Sequence, residues 1–377
     1  MILENIYFFI TAAAGLFALY MAVRNLLFIH RNSLRPFVIN GPKVSVLIPV
    51  RNEEQTIGRC LDSLLNQSYS NYEIIVLDDL SSDNTWKILS DYKAAHSSIS
   101  IVRGKPLPEG WYGKNHALHQ LATVAGGEIL LFTDADTKHK KTSVSFAVTN
   151  LEYHNVEFLS GYPRQNFSIK SIGPVLSLMF LNMIFFTPVW IQKKKPHPIF
   201  GLVIGQYLCI RSAAYWAVGG YATIPKVLTD DIHMGRLLIK NGFRQVFLRV
   251  GTVVSCKMYD SFHDAIQGIT KCIFDFFDKK MIILMLLIPA FLLFVVLPSW
   301  FFIFYLFFSP LSIPFFLYVG VVSLCAAWII VLIFNHFPVY TALLYPWVFP
   351  LVIYMLLRGI YSTLTDKGFL WKNRVVK

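Results

Sequence analysis

Two aspartates one residue apart are the residues of this chain whose types and spacing most clearly suggest chemistry. Asp134 and Asp136 follow the apolar run 129–132, so they stand where a buried strand is expected to end. Paired carboxylates suit a hard cation such as Mg²⁺ or Mn²⁺, which prefers carboxylate, water and phosphate oxygens. An isolated acid-x-acid pattern is also common in solvated loops after strands, so the surrounding motifs must decide its meaning.

Further polar groups follow two earlier apolar runs and precede a later helical run. In an open sheet built from strands and crossover helices, ligands bind at the carboxyl ends of strands, so these groups are expected to meet at one rim. A lysine after a glycine, just before a helix, also suits a phosphate, although a plain surface lysine is the alternative. The residues are Pro49, Arg51 and Glu53 after run 44–50, Asp78 and Asp79 after run 73–77, and Lys114 before run 115–125.

The elements that would position these residues alternate between short β-rich runs and helical runs. Such alternation favours an α/β domain with a mostly parallel sheet covered by helices. The expected strands are 44–50, 73–77, 99–102 and 129–133, and the expected helices are 56–66, 85–95 and 115–125.

Taken together, the motifs of residues 44–275 resemble the inverting nucleotide-sugar glycosyltransferases of family 2, and their combination is far more specific than any one of them. The resemblance implies a GT-A fold, a Rossmann-like mixed sheet. It implies that Asp79, with Asp78, binds uracil and that Pro49, Arg51 and Glu53 shape the nucleotide pocket. It also implies that Lys114 and Asp134 contact the nucleotide-sugar, while Asp134 and Asp136 hold Mg²⁺ or Mn²⁺.

The same resemblance extends to the acceptor side of the reaction. It implies that Gly205, Gln206 and Arg211 shape that side and that a carboxylate pair at a helix start supplies the general base. Asp231 is the better match to the base, and Asp230 beside it would raise the pKa of one of the two. A helix N-cap is the alternative role for Asp230.

Two departures from the family pattern affect the expected function. Leu80 stands where the family usually has a glycine, so the turn after Asp79 is expected to differ. Processive synthases carry Q-x-x-R-W on an interfacial helix, whereas the nearest feature here is Gln267 to Lys271 without a following Trp. Both residues are assigned to the acceptor side. The patterns W-Y-G-K-x-H-A at 111–117, F-x-D-A-D at 132–136 and Asp-Ile-His at 231–233 resemble those of the carotenoid (diaponeurosporenoate) and hopanoid-associated glycosyltransferases, which are the nearest subgroup by motif.

The composition requires part of the chain to sit in lipid. Hydrophobic residues make up 55% of the chain, and the mean hydropathy is +0.52, which is too apolar for an ordinary soluble protein. The run 5–28 is long enough to cross a membrane. The expected domains are a transmembrane anchor with its linker at 1–40, a cytoplasmic glycosyltransferase domain at 41–260, an amphipathic interfacial helix at 261–280, and a C-terminal transmembrane helix bundle with a basic tail at 281–377.

The charge distribution favours a membrane protein over a nucleic-acid-binding one. The net charge is +12, but the basic residues concentrate beside the apolar runs, and no recognition-helix or zinc-finger pattern is found. The apolar runs 281–308, 311–334 and 340–357 are expected spans, whereas 172–190, broken by Pro174 and Pro188, is expected to be interfacial or buried. Three C-terminal spans would leave the basic tail outside the cell, against the charge bias.

These observations predict a multi-pass cell-membrane enzyme with a cytoplasmic catalytic domain. The expected reaction moves a hexose, glucose by family likeness, from a UDP-sugar to a hydrophobic lipid or terpenoid acceptor such as a carotenoid or apocarotenoid acid. A processive polysaccharide synthase or lipid-phosphate glycosyltransferase is one alternative. A non-catalytic nucleotide-sugar sensor or membrane scaffold is an alternative of another class.

Overall fold

The computed structural model describes residues 2–33, 38–194, 196–276, 281–365, 369–371 and 374–376. Of the expected basic tail, Lys367, Lys372 and Lys377 lie outside the described residues. The strands are β1 (Val44–Val50), β2 (Tyr72–Asp78), β3 (Ile99–Arg103), β4 (Ile129–Phe132), β5 (Thr137–His139), β6 (Phe158–Ser160), β7 (Arg164–Gln165), β8 (Leu208–Arg211), β9 (Gln245–Phe247), β10 (Val254–Cys256), β11 (Phe369–Trp371) and β12 (Arg374–Val376).

The α-helices are α1 (Ile2–Ser33), α2 (Ile57–Leu64), α3 (Thr85–Ala95), α4 (Gly113–Val124), α5 (Ser143–His154), α6 (Ile172–Ser177), α7 (Leu181–Phe185), α8 (Ser212–Ala217), α9 (Asp230–Lys240), α10 (Phe262–Phe276), α11 (Met281–Phe291), α12 (Leu297–Phe308), α13 (Phe315–Phe334), α14 (Val339–Leu343) and α15 (Tyr345–Leu364).

A seven-stranded sheet in the order β3-β2-β1-β4-β8-β6-β9 forms the centre of the polar part of the chain. Strand β1 pairs parallel with β2 and with β4, whereas β8 runs antiparallel to β4 and to β6. The carboxyl ends of β1, β2 and β4 therefore meet at one rim. The expected mixed α/β sheet is confirmed.

Both faces of this sheet are covered by apolar side chains. Val46 and Ile48 belong to one core cluster with Leu61 of α2, while Leu47 belongs to a second with Leu118 of α4. Strands that are buried on both faces read as continuous apolar runs, which is why β1 has the sequence VSVLIPV.

Three helical segments in the described part of the chain are long and apolar enough to cross a membrane: Ile2–Ser33, Met285–Phe308 and Phe315–Phe334. The second contains a π-helical turn, Leu292–Val296, between α11 and α12. Pro289 and Pro298 flank this turn, and a proline removes a helical hydrogen bond and clashes with the preceding turn. The apolar helices at both ends of the chain agree with the expected class.

Helix α1 packs along α13, and two glycines bring the helices into close contact. A Cβ atom added to Gly15 would stand 2.2 Å from the carbonyl oxygen of Gly320. Small residues allow the backbones of apolar helices to approach in this way. The first and third of the membrane-length segments are therefore in close backbone contact at these glycines, and Phe9 of α1 and Phe316 of α13 also pack edge to face.

The segments expected to be interfacial or spanning differ in part from the prediction. Run 172–190 forms the short helices α6 and α7, with a 3-10 turn between them, so it is shorter than a span. Run 340–357 is divided between α14 and α15, and α15 is not among the three membrane-length segments of the described chain. Helix α15 packs on α10.

Helix α10 covers most of the segment expected as the amphipathic interfacial helix, and its position in the lipid interface stays a prediction. Ile266 and Ile269 are buried within the protein, and α10 packs against α15 and α6. The polar residues Gln267 and Lys271 of this helix line the cavity at the rim of the sheet.

Candidate active site

A polar cavity of about 580 Å³ lies at the carboxyl rim of the sheet. Its walls come from the loops after β1, β2 and β4, the first turns of α4 and α9, and one side of α10. The predicted site residues that line it are Pro49, Arg51, Glu53, Asp79, Lys114, Asp134, Asp136, Gly205, Gln206, Asp230, Asp231, Gln267 and Lys271. The structure thus brings these residues together, while their functional roles stay predictions.

The carboxylate pair after β4 has one oxygen that no protein group satisfies. Asp136 Oδ1 is buried and has no hydrogen-bond partner among the described residues. Burial raises the pKa of Asp136 to about 7, with further contributions from the charges of Asp134 and Glu53, although a hydrogen bond from Cys256 acts in the opposite direction. A buried carboxylate oxygen without a partner is costly unless a cation or proton accompanies it.

Lys114 lies between the two carboxylate pairs of the cavity. Its Nζ is 3.0 Å from Asp134 Oδ1 and 3.8 Å from Asp230 Oδ2. Burial lowers the pKa of Lys114, but Asp134, Asp230 and Asp231 outweigh burial and raise the pKa overall. The lysine is therefore a fixed positive charge at the centre of the cavity.

Asp231 is held by backbone donors rather than by a side-chain partner. Gly205 N–H donates to its Oδ2 at 2.7 Å, and Ile232 N–H donates to its Oδ1 at 2.8 Å. Burial and the neighbouring Asp230 nevertheless raise the pKa of Asp231 to about 6. Such a value suits a general base, because the carboxylate is ionised near neutral pH and still has useful proton affinity.

The first turn of α9, which carries this acid pair, is tied to α10 by a buried aspartate. Asp275, 3% exposed, accepts hydrogen bonds from Thr229 N at 2.9 Å and from Thr229 Oγ1 at 2.5 Å. His233 Nδ1 lies 3.5 Å from the same carboxylate oxygen. Helix α9 begins at Asp230, and Thr229 occupies its N-cap position, so Asp230 is not the N-cap.

On the opposite side of the cavity, the turn after β2 is bound to Arg51. Arg51 Nη1 donates to the carbonyl oxygen of Asp79 and lies 3.7 Å from Asp79 Oδ2. Leu80 has φ of 55°, in the left-handed region that favours glycine. The turn therefore has a conformation that glycine adopts more easily than leucine, and whether it differs from the turn of the family stays a prediction.

Two predicted site residues lie outside the cavity. Asp78 is completely buried; its Oδ2 pairs with Arg103 and accepts from Ser81 N–H, while its Oδ1 has no partner among the described residues. Arg211 lies opposite Ile129 at the amino end of β4, where Nη2 is 3.0 Å from Glu152 Oε1. Because β8 is antiparallel to β4, Arg211 is at the far edge of the sheet from the cavity.

Some cavity residues had no sequence signal that singled them out. Cys256 ends β10 and hydrogen-bonds to Asp136. Lys257 and Tyr259 follow it and line the cavity, while Asp275 supports the base-bearing turn from behind. Asp275 is a polar residue between apolar residues of an amphipathic helix, and the helical pattern alone does not say what such a residue contacts.

The described residues contain no cluster of three or more His, Cys, Asp and Glu side chains that would hold a metal alone. The residues present nevertheless fit a hard divalent cation. Asp134 and Asp136 supply carboxylate oxygens, one of them buried without a partner, and small hard cations are often bound by one or two carboxylates together with substrate phosphates and water.

Fold and cavity together define the class of protein: an α/β domain with an acid-lined cavity at the rim of its sheet and apolar helices beside it. The family described as Glycosyl transferase family 2 matches residues 45–201. The putative glycosyltransferase EpsE of Bacillus subtilis is 34% identical over 213 residues, covering 54% of this chain and 69% of EpsE. The chain belongs to glycosyl transferase family 2, which confirms the expected family, its GT-A fold and its class of enzyme, a transferase.

Other relatives are more distant or longer. The 4,4'-diaponeurosporenoate glycosyltransferase of Staphylococcus aureus is 24% identical over 263 residues, covering 67% of each chain. The chain spans 46% and 15% of the lengths of two further curated relatives. A mannosyltransferase of Pyrobaculum calidifontis, solved with GDP-Man and Mn²⁺, has a TM-score of 0.56 at 20% identity over 96% of this chain and 100% of that one, a likeness of fold.

Proposed function

We propose that this chain transfers a hexose, glucose by family likeness, from a UDP-sugar to a hydrophobic lipid-like acceptor, such as a carotenoid or apocarotenoid acid. The observation that carries the proposal is the single cavity that joins Asp79, the pair Asp134 and Asp136, and Asp231. The likeness to a diaponeurosporenoate glycosyltransferase supports an acceptor of this kind.

The donor occupies the cavity from the β2 turn to Lys114. Asp79, fixed by Arg51, contacts the base, and Lys114 contacts the diphosphate. Its contacts with Asp134 and Asp230 then give way in part to contacts with phosphate oxygens, because an ammonium group is a point charge that rotates easily between anionic partners. Pro49 and Glu53 complete the nucleotide side of the cavity.

Asp134 and Asp136 hold the divalent cation, Mg²⁺ or Mn²⁺, and the unpartnered oxygen of Asp136 supports this assignment. When bound, the cation stabilises negative charge on the departing diphosphate. The Mn²⁺ complex of the mannosyltransferase with the same fold agrees with a metal of this type.

Asp231 accepts the proton of an alcohol acceptor. The acceptor oxygen forms a bond to the anomeric carbon, the bond from that carbon to the diphosphate oxygen breaks, and the nucleotide diphosphate leaves with the electron pair. Attack from the face opposite the leaving group inverts an α-linked donor into a β-glycoside. A carboxylic acid acceptor is already ionised near pH 7, so Asp231 would orient it rather than deprotonate it.

The membrane arrangement belongs to the same proposal. Helix α1 crosses the membrane with its amino end outside the cell. Arg31 in its last turn lies on the cytoplasmic side, where basic residues are favoured. The two later membrane-length segments then cross and return, which leaves Arg358 of α15 and the basic tail on the cytoplasmic side. If α15, which packs on α10, is not counted as a span, this proposed topology agrees with the charge bias.

The test incubates membranes containing the chain with labelled UDP-glucose and a panel of hydroxylated and carboxylated terpenoids, with labelled GDP-mannose in a parallel arm. A single mono-glucoside of a terpenoid is the expected product. A ladder of product lengths would identify a processive enzyme. Transfer from GDP-mannose alone would identify GDP-mannose, rather than UDP-glucose, as the donor. Binding of UDP without transfer or hydrolysis in either arm would indicate a non-catalytic sensor.

A further inference from the structure

A second cavity, of about 360 Å³, lies among the apolar helices beside the polar one. Its walls come from α1, α7, α10, α11, the π-helical turn and α15, together with loop residues around Ile204. Among the described residues that line it, Asp231 is the only charged one. We call this space the apolar cavity.

The apolar cavity adjoins the polar cavity at the candidate base. The two share the lining residues Ile204, Thr229, Asp231, Met258 and Cys272. A molecule that filled the apolar cavity would therefore present its end to Asp231, next to the place where the donor's sugar is expected.

The apolar cavity also reaches the outer surface of the helices. Phe17 of α1 lines it and is 51% exposed, and Leu287 and Ala290 of α11 line it and are partly exposed. Both helices belong to segments long and apolar enough to cross a membrane, so this opening faces lipid when they do. A lipid can then enter sideways, without first passing through water.

Few polar groups in the apolar cavity are available to a ligand. The Tyr162 hydroxyl already donates to Met179 O at 2.9 Å or to Asn182 Oδ1 at 2.7 Å, and the Thr229 hydroxyl is bound to Asp275. A polar group in the middle of a ligand would lose its water without gaining a partner here, which is unfavourable. The cavity thus suits a body that is apolar throughout.

We propose that the apolar cavity binds the hydrocarbon body of the acceptor, which enters from the bilayer between α1 and α11 and places its single polar end at Asp231. The inference rests on the proposed function and deepens it. It assigns the acceptor to lipids with one terminal hydroxyl or carboxyl group on a long apolar body, and it assigns their recognition to helices outside the sheet domain.

The experiment narrows the cavity at its rim and compares two alcohols with the same reactive group. Ala290→Trp fills the α11 side, and Leu286→Trp, one turn earlier at a position that is 67% exposed and outside the cavity, is its matched control. Ala14→Trp with the exposed neighbour Ala13→Trp as control repeats the test on α1. Prenol and geranylgeraniol are the acceptors, since they share an allylic hydroxyl and differ in length.

Ala290→Trp and Ala14→Trp are expected to lower kcat/KM for geranylgeraniol by at least about tenfold, as loss of fit in an apolar pocket does, with a much smaller effect on prenol. Both control variants should behave as the unmodified chain does. A photoreactive geranylgeraniol analogue should label residues of the apolar cavity in the unmodified chain and label them less in the two narrowed variants.

Equal loss for the two alcohols, or no loss for either, would overturn the cavity assignment. Hydrolysis of UDP-glucose by water is measured for every variant and reports whether the donor site is folded. If one of the two narrowed variants misfolds, the other narrowed variant, on the other helix, tests the cavity assignment. Labelling of the cavity without any transfer or hydrolysis would overturn the proposed function while leaving the cavity as a lipid site. Transfer together with labelling outside the apolar cavity would overturn the cavity assignment and leave the proposed function intact.

Discussion

The two carboxylate pairs of the polar cavity stand in different surroundings, although Lys114 lies near both. Oδ1 of Asp136 is buried without a partner among the described residues, whereas both oxygens of Asp231 accept backbone hydrogen bonds. The first pair is incomplete without a bound cation or proton. The second is oriented by the protein itself, so its geometry is set before any ligand arrives. The difference separates a site that needs a ligand from one that is already built.

The largest expected effect comes from the incomplete pair. Asp136→Asn removes a charge that would hold the cation, and the loss of several kcal/mol of transition-state stabilisation should lower transfer by roughly a thousandfold. Labelled-sugar transfer measures this, and thermal unfolding with and without Mn²⁺ and UDP measures binding. Asp91→Asn, at an exposed position of α3, is the control. Retained transfer with unchanged Mn²⁺ dependence would contradict the metal assignment.

Asp231→Asn tests the pair that the protein already orients. Since the amide cannot accept the proton, kcat with an alcohol acceptor should fall by about a hundredfold or more, while UDP-glucose binding is kept. With a carboxylic acid acceptor, which is already ionised, most activity should stay. Equal losses on the two acceptors, measured side by side, would mean that Asp231 only positions the acceptor or the turn.

The pH dependence with an alcohol acceptor should follow Asp231. Its pKa is raised from an ordinary value to about 6, and the base works only as a carboxylate. Therefore kcat/KM should be level above about pH 6 and fall about tenfold per pH unit below it. Saturating Mn²⁺ is needed, because the raised pKa of Asp136 makes protons compete with the cation. An acid limb that survives in Asp231→Asn belongs to another group.

The smallest effect should come from Asp230→Asn, the acid beside the base. Removing its charge takes away one cause of the raised pKa of Asp231, so the acid limb of the profile should move to lower pH. The rate above the limb should change by less than about tenfold, because Asp230 is not expected to take the proton. A loss as large as that of Asp231→Asn would reverse the two assignments.

The sequence predicted the residues that follow strands better than it predicted their surroundings. Asp134, Asp136 and Lys114 meet because strand ends and helix starts of a parallel arrangement share one rim. Arg211 was misplaced because the strand that carries it runs antiparallel, which no pattern of apolar residues reveals. Asp78 and Asp79 are adjacent acids, and only the course of the turn shows that one faces Arg103 and the other faces the cavity.

The apolar cavity was harder to predict from the sequence than the position of any single site residue. Its wall combines Phe17, Phe185 and Phe291, which are distant in sequence and look like ordinary lipid-facing or core residues. Leu80 stands where the family resemblance places a glycine, and its backbone is left-handed. The substitution should cost about 1 kcal/mol, which the contacts of Arg51 with the neighbouring carbonyl oxygens help to offset.

The contact of Gly15 with Gly320 has a practical consequence for anyone who prepares this protein. Because α1 is held against α13 by backbone contact, and Ala14 and Phe17 of α1 form part of the apolar cavity, cutting the chain before the sheet domain would remove a wall of that cavity. A truncated preparation would keep the strand-end acids of the polar cavity but lose the α1 side of the apolar cavity. Under the proposed function, acceptor screens should therefore use the whole chain, because a preparation without α1 is expected to miss lipids that bind in the apolar cavity.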